Sequence, residues 1–188
     1  MKSNIFFNQI ITVDSVNTLR NMVLNATSNV QSLPSEIIIH FSSPGGNLNA
    51  GFTLYNFLRS VQVPLHMHNI GNVDSVAVII FLAAETRSCS PHSRFKLHNL
   101  DWTFSEGSIA HASLTEYSRQ LDFERDRYAA IFNERTKAAQ SSIDILDCLS
   151  GSAKIIDIET ARASGITTAP EATIIPAVSA GGFWAMNV

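Results

Sequence analysis

Apolar residues at Val16, Leu19, Val23, Ala26 and Val30 keep the three-and-four spacing of an amphipathic helix, and Asp14 or Ser15 stands where a cap is needed. The run Ile37-Ile38-Ile39-His40-Phe41 has the short, largely β-branched character of a strand buried on both faces. It ends in Ser42-Ser43-Pro44-Gly45-Gly46-Asn47, after which Ala50, Leu54, Phe57, Leu58 and Val61 return to the helical period. The order then repeats. Leu65 to Ile70 reads as a strand, Gly71-Asn72-Val73-Asp74 as a turn, and Ser75 to Glu85 as a helix apolar on nearly every side. Arg94 to Leu97 is a further short strand with His98 at its end. A capping box, Ser113-Leu114-Thr115-Glu116, announces a long helix over about 113–140. Its apolar stripe is Leu114, Tyr117, Leu121, Tyr128, Ile131 and Phe132, interrupted by Glu124 and Arg125; the interruption suits ion pairs at a subunit interface or a partly exposed helix. Two short helices follow, one around Ile143 to Leu149 stopped by Gly151, the other capped by Asp157 and stopped by Gly165. Strands alternating with helices predict an α/β fold with a largely parallel sheet. The tail 170–188 is apolar and turn-rich without helical periodicity, which predicts a docked strand or arm, on this chain or against a neighbouring subunit.

The 188 residues suffice for one domain spanning 1–188, and no linker, repeat or low-complexity tract divides them. Only 15% of the residues are charged, against roughly 25% in an average soluble domain. That shortage points to surface covered by another copy of the chain. With 13 basic and 16 acidic residues the net charge is −3, which gives no field to attract nucleic acid or an anionic membrane. Cys89 and Cys148 are too few for a metal site or a disulfide framework and read as buried small hydrophobes. Polar Asn4, Asn8 and Gln9 break the apolar N-terminal patch, so no signal peptide is expected, and no run approaches a membrane span. A soluble cytoplasmic protein without metal or cofactor is the expectation.

Three features fall at the carboxyl ends of predicted strands, where α/β sheets gather their chemistry. Gly45-Gly46 would let main-chain N–H groups approach an oxyanion, or simply make a tight strand-to-helix turn. Ser75 fits a helix N-cap; it could also be a nucleophile whose developing anion meets the N–H of Val76, and position alone favours the cap. His98 is the candidate general base. The other five histidines, His40, His66, His68, His92 and His111, have no comparable placement.

From about Ile5 to Ile166 the chain resembles the Clp protease proteolytic subunits, the ClpP-like serine peptidases of the ClpP/crotonase fold. The resemblance is carried by Ser43-Pro44-Gly45-Gly46 with Ala50-Gly51 and Tyr55, and by Gly71 four positions before Ser75. Leu82-Ala83-Ala84, Cys89-Ser90-Pro91-His92-Ser93-Arg94 and the strand ending in His98 complete it. It implies repeated β-β-α units and a protruding handle helix beginning at Ser113. It also implies a serine endopeptidase that cleaves peptides or unfolded proteins, with Ser75 as nucleophile, His98 as base, and the N–H groups of Gly46 and Val76 as the oxyanion hole. A homo-oligomer, a heptameric ring or stacked rings, is implied with it.

The chain departs from the family pattern at several places. The third, acidic member of the triad would fall at Ala153, so the acid is missing; Asp157 stands as a helix cap, and Asp144 or Asp147 would reach His98 only by a different chain path. Trp102, within Leu100-Asp101-Trp102-Thr103-Phe104, stands where the family has a glycine-rich strand that pairs with substrate, and would narrow the groove. Asp74 adjoins Ser75 and, if buried, would oppose alkoxide formation. The first strand begins near Ile5 and leaves no length for the loops that engage an AAA+ unfoldase, so no such partner is expected. Ala153 and Trp102 set a catalytically weak or inactive scaffold that keeps the ring-forming fold beside a peptidase of reduced activity. Behind it stands a crotonase-type acyl-CoA-binding enzyme, which the resemblance admits because that branch uses the same pair of oxyanion N–H groups, and which the Ser75 and His98 pair disfavours.

Overall fold

The computed structural model describes residues 2–101, 110–170 and the backbone of 183–185. Along them the chain forms β1 (Lys2–Asn8), α1 (Val13–Thr27), β2 (Glu36–Ser43), α2 (Leu48–Ser60), β3 (Leu65–Asp74), α3 (Val76–Phe81) and β4 (Thr86–Cys89). It continues through β5 (Arg94–Leu97), α4 (His111–Thr136), α5 (Ile145–Ser150), β6 (Lys154–Ile156), α6 (Ile158–Ala163) and β7 (Phe183–Ala185). The described strands make one sheet in the order β6-β5-β3-β2-β1-β7, and β4 also pairs with β3. The β5–β6 pair is antiparallel and the other pairs are parallel, in line with the predicted α/β class.

Register separates two chemistries across the sheet. One face presents Ile5 and Phe7 of β1, Ile37, Ile39 and Phe41 of β2, and Leu65 and Met67 of β3, all within the hydrophobic core. The helix α3 is buried on every side, with Val76 through Leu82 fully inaccessible, as its unbroken apolar sequence predicts. The opposite face carries Asn4, Phe6, His40, His66, His68 and Ser88. These polar groups pair with one another, although the buried His40 Nδ1 has no hydrogen-bond partner among the described residues. His40 Nε2 pairs with Asn4 Oδ1 at 3.0 Å, and Ser88 Oγ lies 2.7 Å from His66 Nε2 and 2.8 Å from His68 Nδ1. Phe6 stacks on His40. Burial is the main cause that lowers all three imidazole pKa values, to about 4 for His40 and His68.

Several elements differ from the sequence reading. Thr12, not Asp14 or Ser15, caps α1: its Oγ1 accepts from Ser15 N–H, and Ser15 Oγ accepts from Thr12 N–H in return. Val30 lies beyond the helix and is exposed. Gly71 to Asp74 is strand rather than turn. Asn69 Oδ1 accepts from Gly71 N–H, Val73 is buried, and Asn72 to Asp74 pair with Arg94 to Lys96. The long helix starts at His111 with Ala110 as N-cap, and no side chain caps it, so the capping box at Ser113 does not form; the helix ends at Thr136. In the tail, 183–185 docks in parallel on β1 of the same chain, while the remaining residues after 170 lie outside the described ones. Cys89 and Cys148 are buried thiols, as expected, and burial raises the pKa of Cys148.

Strand β4 has no hydrophobic alternation to reveal it; beyond its ladder with β3 it is tied to the rest of the chain by a buried guanidinium. Arg87 donates to the carbonyl oxygens of Ala84, Gly165, Ile166 and Arg135 at 2.6, 2.9, 2.7 and 3.2 Å. Burial lowers its pKa to about 10. The carbonyl cage fastens β4 to the chain after α6 and to the end of α4.

Candidate active site

Strands β2, β3 and β5 are parallel, and their carboxyl ends bring Gly46, Ser75 and His98 to one rim of the sheet. Asp74 pairs with Lys96 across β3 and β5, and the N–H of Ser75 continues that ladder by donating to the Lys96 carbonyl at 2.9 Å. From this anchor the chain turns sharply into α3. Ser75 adopts φ 57° and ψ −134°, a conformation that a non-glycine residue takes only at a cost of about 1–3 kcal/mol. The carbonyl of Ser75 accepts from Val78 N–H and from the hydroxyl of buried Tyr128 on α4, both at 3.0 Å. The strain is thus held from both sides.

The Ser75 hydroxyl makes no capping hydrogen bond, so the cap reading of this residue fails. Its side chain is half-buried and lines a cavity of about 520 Å³ together with His98, Gly46 and Leu100. No hydrogen bond joins Ser75 Oγ to His98 among the described residues. That is compatible with a base-nucleophile pair that closes only around substrate. His98 Nδ1 lies 2.7 Å from the carbonyl oxygen of Asn99. The carbonyl can only accept, so Nδ1 carries the proton and Nε2 is left as the basic nitrogen.

The glycine loop is shaped by close approach. Gly45 has φ +91°, and a Cβ there would come within 2.6 Å of Ser75 Cβ; at Gly46, φ +143°, it would meet the Ile11 carbonyl oxygen at 2.3 Å. Ile11 holds the loop by donating to the Gly45 carbonyl and accepting from Asn47 N–H, each at 2.8 Å. The N–H groups of Gly46 and Val76 donate to no backbone acceptor among the described residues. Two unspent donors therefore stand beside a strained serine.

No carboxylate completes the set among the described residues. Leu97 pairs with Lys154 across β5 and β6, and continuing that antiparallel register by one residue sets Ala153 opposite His98. Asp157 accepts from Thr160 N–H at 2.8 Å as the cap of α6, which lowers its pKa, and Asp144 accepts from Asp147 N–H as the cap of α5. Asp74 does not burden Ser75 with an unpaired charge, because Arg94 grips its carboxylate through two hydrogen bonds of 2.9 and 3.1 Å. Trp102 lies outside the described residues.

Sequence reasoning did not find the Asn99 carbonyl, the Tyr128 hydroxyl or Glu124. The first two act through backbone groups and leave no residue-type signature. Glu124 did leave one, a charge set into the apolar stripe of α4, and the structure buries it against the same cavity. Arg125 instead points to Asp122 and Asp126 on its own helix.

An 88% share of this chain superposes on 88% of a ClpP1 mutant from Listeria monocytogenes with a TM-score of 0.73 at 18% sequence identity, a likeness of fold. The ATP-dependent Clp protease proteolytic subunit 2 of Treponema denticola is 38% identical over 69 residues, which cover 36% of this chain and 34% of that protein. Its namesake in Borreliella burgdorferi is 39% identical over 64 residues, 33% and 32% of the two chains. The proteolytic subunit 3 of Rhizobium meliloti is 31% identical over 104 residues, 54% of this chain and 51% of that one. The match spans about a third of the length of the first two curated relatives and about half of the third. The family model for Clp protease matches residues 1–166, and with the sheet, the serine turn and the glycine loop arranged as described, the chain belongs to the Clp protease family.

Proposed function

We propose that the protein is a serine endopeptidase that cleaves peptides or unfolded proteins through an acyl-enzyme, at a rate held down by the missing acid. The observation that carries this reading is Ser75: a strained turn residue whose hydroxyl caps nothing, facing a cavity shared with His98. In this mechanism Ser75 Oγ attacks the scissile carbonyl as His98 Nε2 takes its proton. The oxyanion that forms receives the N–H groups of Gly46 and Val76. The imidazolium then gives the proton to the leaving amine, and water, activated by the same nitrogen, releases the acyl group. Oxyanion donors of this kind are worth about 10²-fold to 10³-fold in turnover. The Asn99 carbonyl fixes the tautomer of His98, but as a neutral acceptor it stabilises the imidazolium less than a carboxylate would.

The same fold supports assembly into a homo-oligomer, a heptameric ring or stacked rings. Leu114 and Phe123 on α4 are 46% and 66% exposed in the single chain, which suits a handle that packs against another copy. No helix among the described residues is long and apolar enough to cross a membrane, and the cytoplasm is the compartment we assign. No nucleic acid, cofactor or unfoldase enters this reading.

A fluorophosphonate probe tests it. Labelling is expected on Ser75 and lost, with peptide hydrolysis, in Ser75→Ala; equal labelling of the variant sinks the assignment. Ala153 opposite His98 favours one competing reading, a scaffold that keeps the assembly without turnover. Robust Ser75-dependent hydrolysis by the purified protein excludes that scaffold.

A further inference from the structure

Glu124 is the unexplained charge of the cavity. It sits on the face of α4 that also turns Gln120 and Leu121 toward Ser75 and His98. The residue is only 8% exposed, and its Oε2 has no hydrogen-bond partner among the described residues. Arg127 Nη1 forms an i,i+3 ion pair with that oxygen at 3.6 Å, a contact longer than a hydrogen bond. The Arg127 guanidinium also lies over the Phe52 ring at 4.0 Å from the centroid, so its face is packed while the carboxylate still lacks a hydrogen-bonded donor at Oε2. A carboxylate withdrawn from water needs a close donor, preferably a cationic one. His98 does not supply it, since the Nδ1 proton is already directed at Asn99.

We infer that Glu124 receives the cationic end of a substrate side chain, so that the cavity selects peptides with lysine or arginine at the residue whose carbonyl meets Ser75. The inference deepens the peptidase reading and rests on it for the location of the scissile bond. A buried acid in a specificity pocket discriminates strongly because a neutral side chain of equal size leaves its oxygen without a hydrogen-bond donor. Glu124 is in this view a specificity residue; the attack on the carbonyl does not pass through it.

N-acetylated peptides identical except for lysine or norleucine at the cleaved position separate this subsite from one that binds a free terminal amine. Two readouts are taken: hydrolysis of the aminocoumarin derivatives, and equilibrium binding of the uncleavable methylamides. Wild-type protein is expected to favour lysine by about tenfold or more in both, the scale of a charge-assisted hydrogen bond. In Glu124→Gln the ratio falls to about one, and Glu124→Asp restores part of it. Equal binding of the two methylamides by the wild type, or no binding of either, overturns the subsite. That outcome is independent of catalysis. Preferential, Glu124-dependent binding of the lysine methylamide without any hydrolysis would retain the subsite and overturn the peptidase reading instead. Should Glu124→Gln fail to fold, the wild-type lysine-to-norleucine comparison still decides.

Discussion

Ala153 leaves a methyl group where a carboxylate would reach across β5 and β6 to His98, and the imidazole turns instead to the carbonyl of its own neighbour. The two partners do the same geometric work but differ in charge. Loss of the acid in a serine protease has cost about 10⁴ in turnover, mostly through the wrong tautomer. Here the tautomer is already correct, so only the electrostatic share is absent. Ala153→Asp is therefore expected to raise the rate of fluorophosphonate labelling at Ser75 by about tenfold or more. A folded variant with an unchanged rate would mean that the new carboxylate does not reach Nδ1. Asp74 makes the complementary point. Sequence alone makes it a threat to the alkoxide, whereas its bidentate pairing with Arg94 turns it into a support for the strand end.

Among the elements, those with one dominant signal were legible and those completed by a distant partner were not. The β-branched run of β2, the helical period of α2, the glycine stops of α5 and α6 and the Asp157 cap of α6 all stand in the sequence. Strand β4 does not, because its central Arg87 is buried by four carbonyls contributed from elsewhere in the chain. The extension of β3 through Gly71 to Asp74 depends on pairing with β5, and the start of α4 ignored a well-formed capping box. The candidate site divides in the same way: the meeting of Gly46, Ser75 and His98 at one rim was readable from the strand ends and family likeness, while the groups that support them were not. Helix α4 is one such support. Its Tyr128 hydroxyl is the side-chain donor to the Ser75 carbonyl. Tyr128→Phe is expected to lower stability by about 1 kcal/mol, because Val78 N–H still satisfies that carbonyl, and to slow labelling of Ser75 by relaxing the strained turn. Urea unfolding and labelling kinetics measure the two effects separately; a stability loss with unchanged kinetics would confine Tyr128 to packing.

At the scale of the whole molecule, the two faces of the sheet respond differently to acid. The apolar face does not titrate, whereas the opposite face holds three neutral imidazoles. His40 and His68 fall from an ordinary value of 6.5 to about 4 on folding, so the unfolded chain binds protons first as pH drops. Stability is thus complete above about pH 6.5 and declines as pH falls toward 4, at about 1.4 kcal/mol per unit for each histidine fully engaged. Glu85, held at about 2 by Arg135 and Arg59, adds a loss of the same sign only below about pH 4.5, and its exposure keeps that part small. Urea midpoints taken between pH 7 and 4.5 therefore report on the histidine face, and a flat profile there would contradict its burial in the neutral state. The main-chain bond from Ser75 to Lys96 has a different reach. It makes the separation of hydroxyl and imidazole a property of two adjacent strands, not of the 22 residues of chain between them. The exposed turn at Pro91 and His92, where His92 takes φ 68°, is consequently a seam: the fold can lengthen or reroute the chain there while the distance across the rim stays that of the sheet.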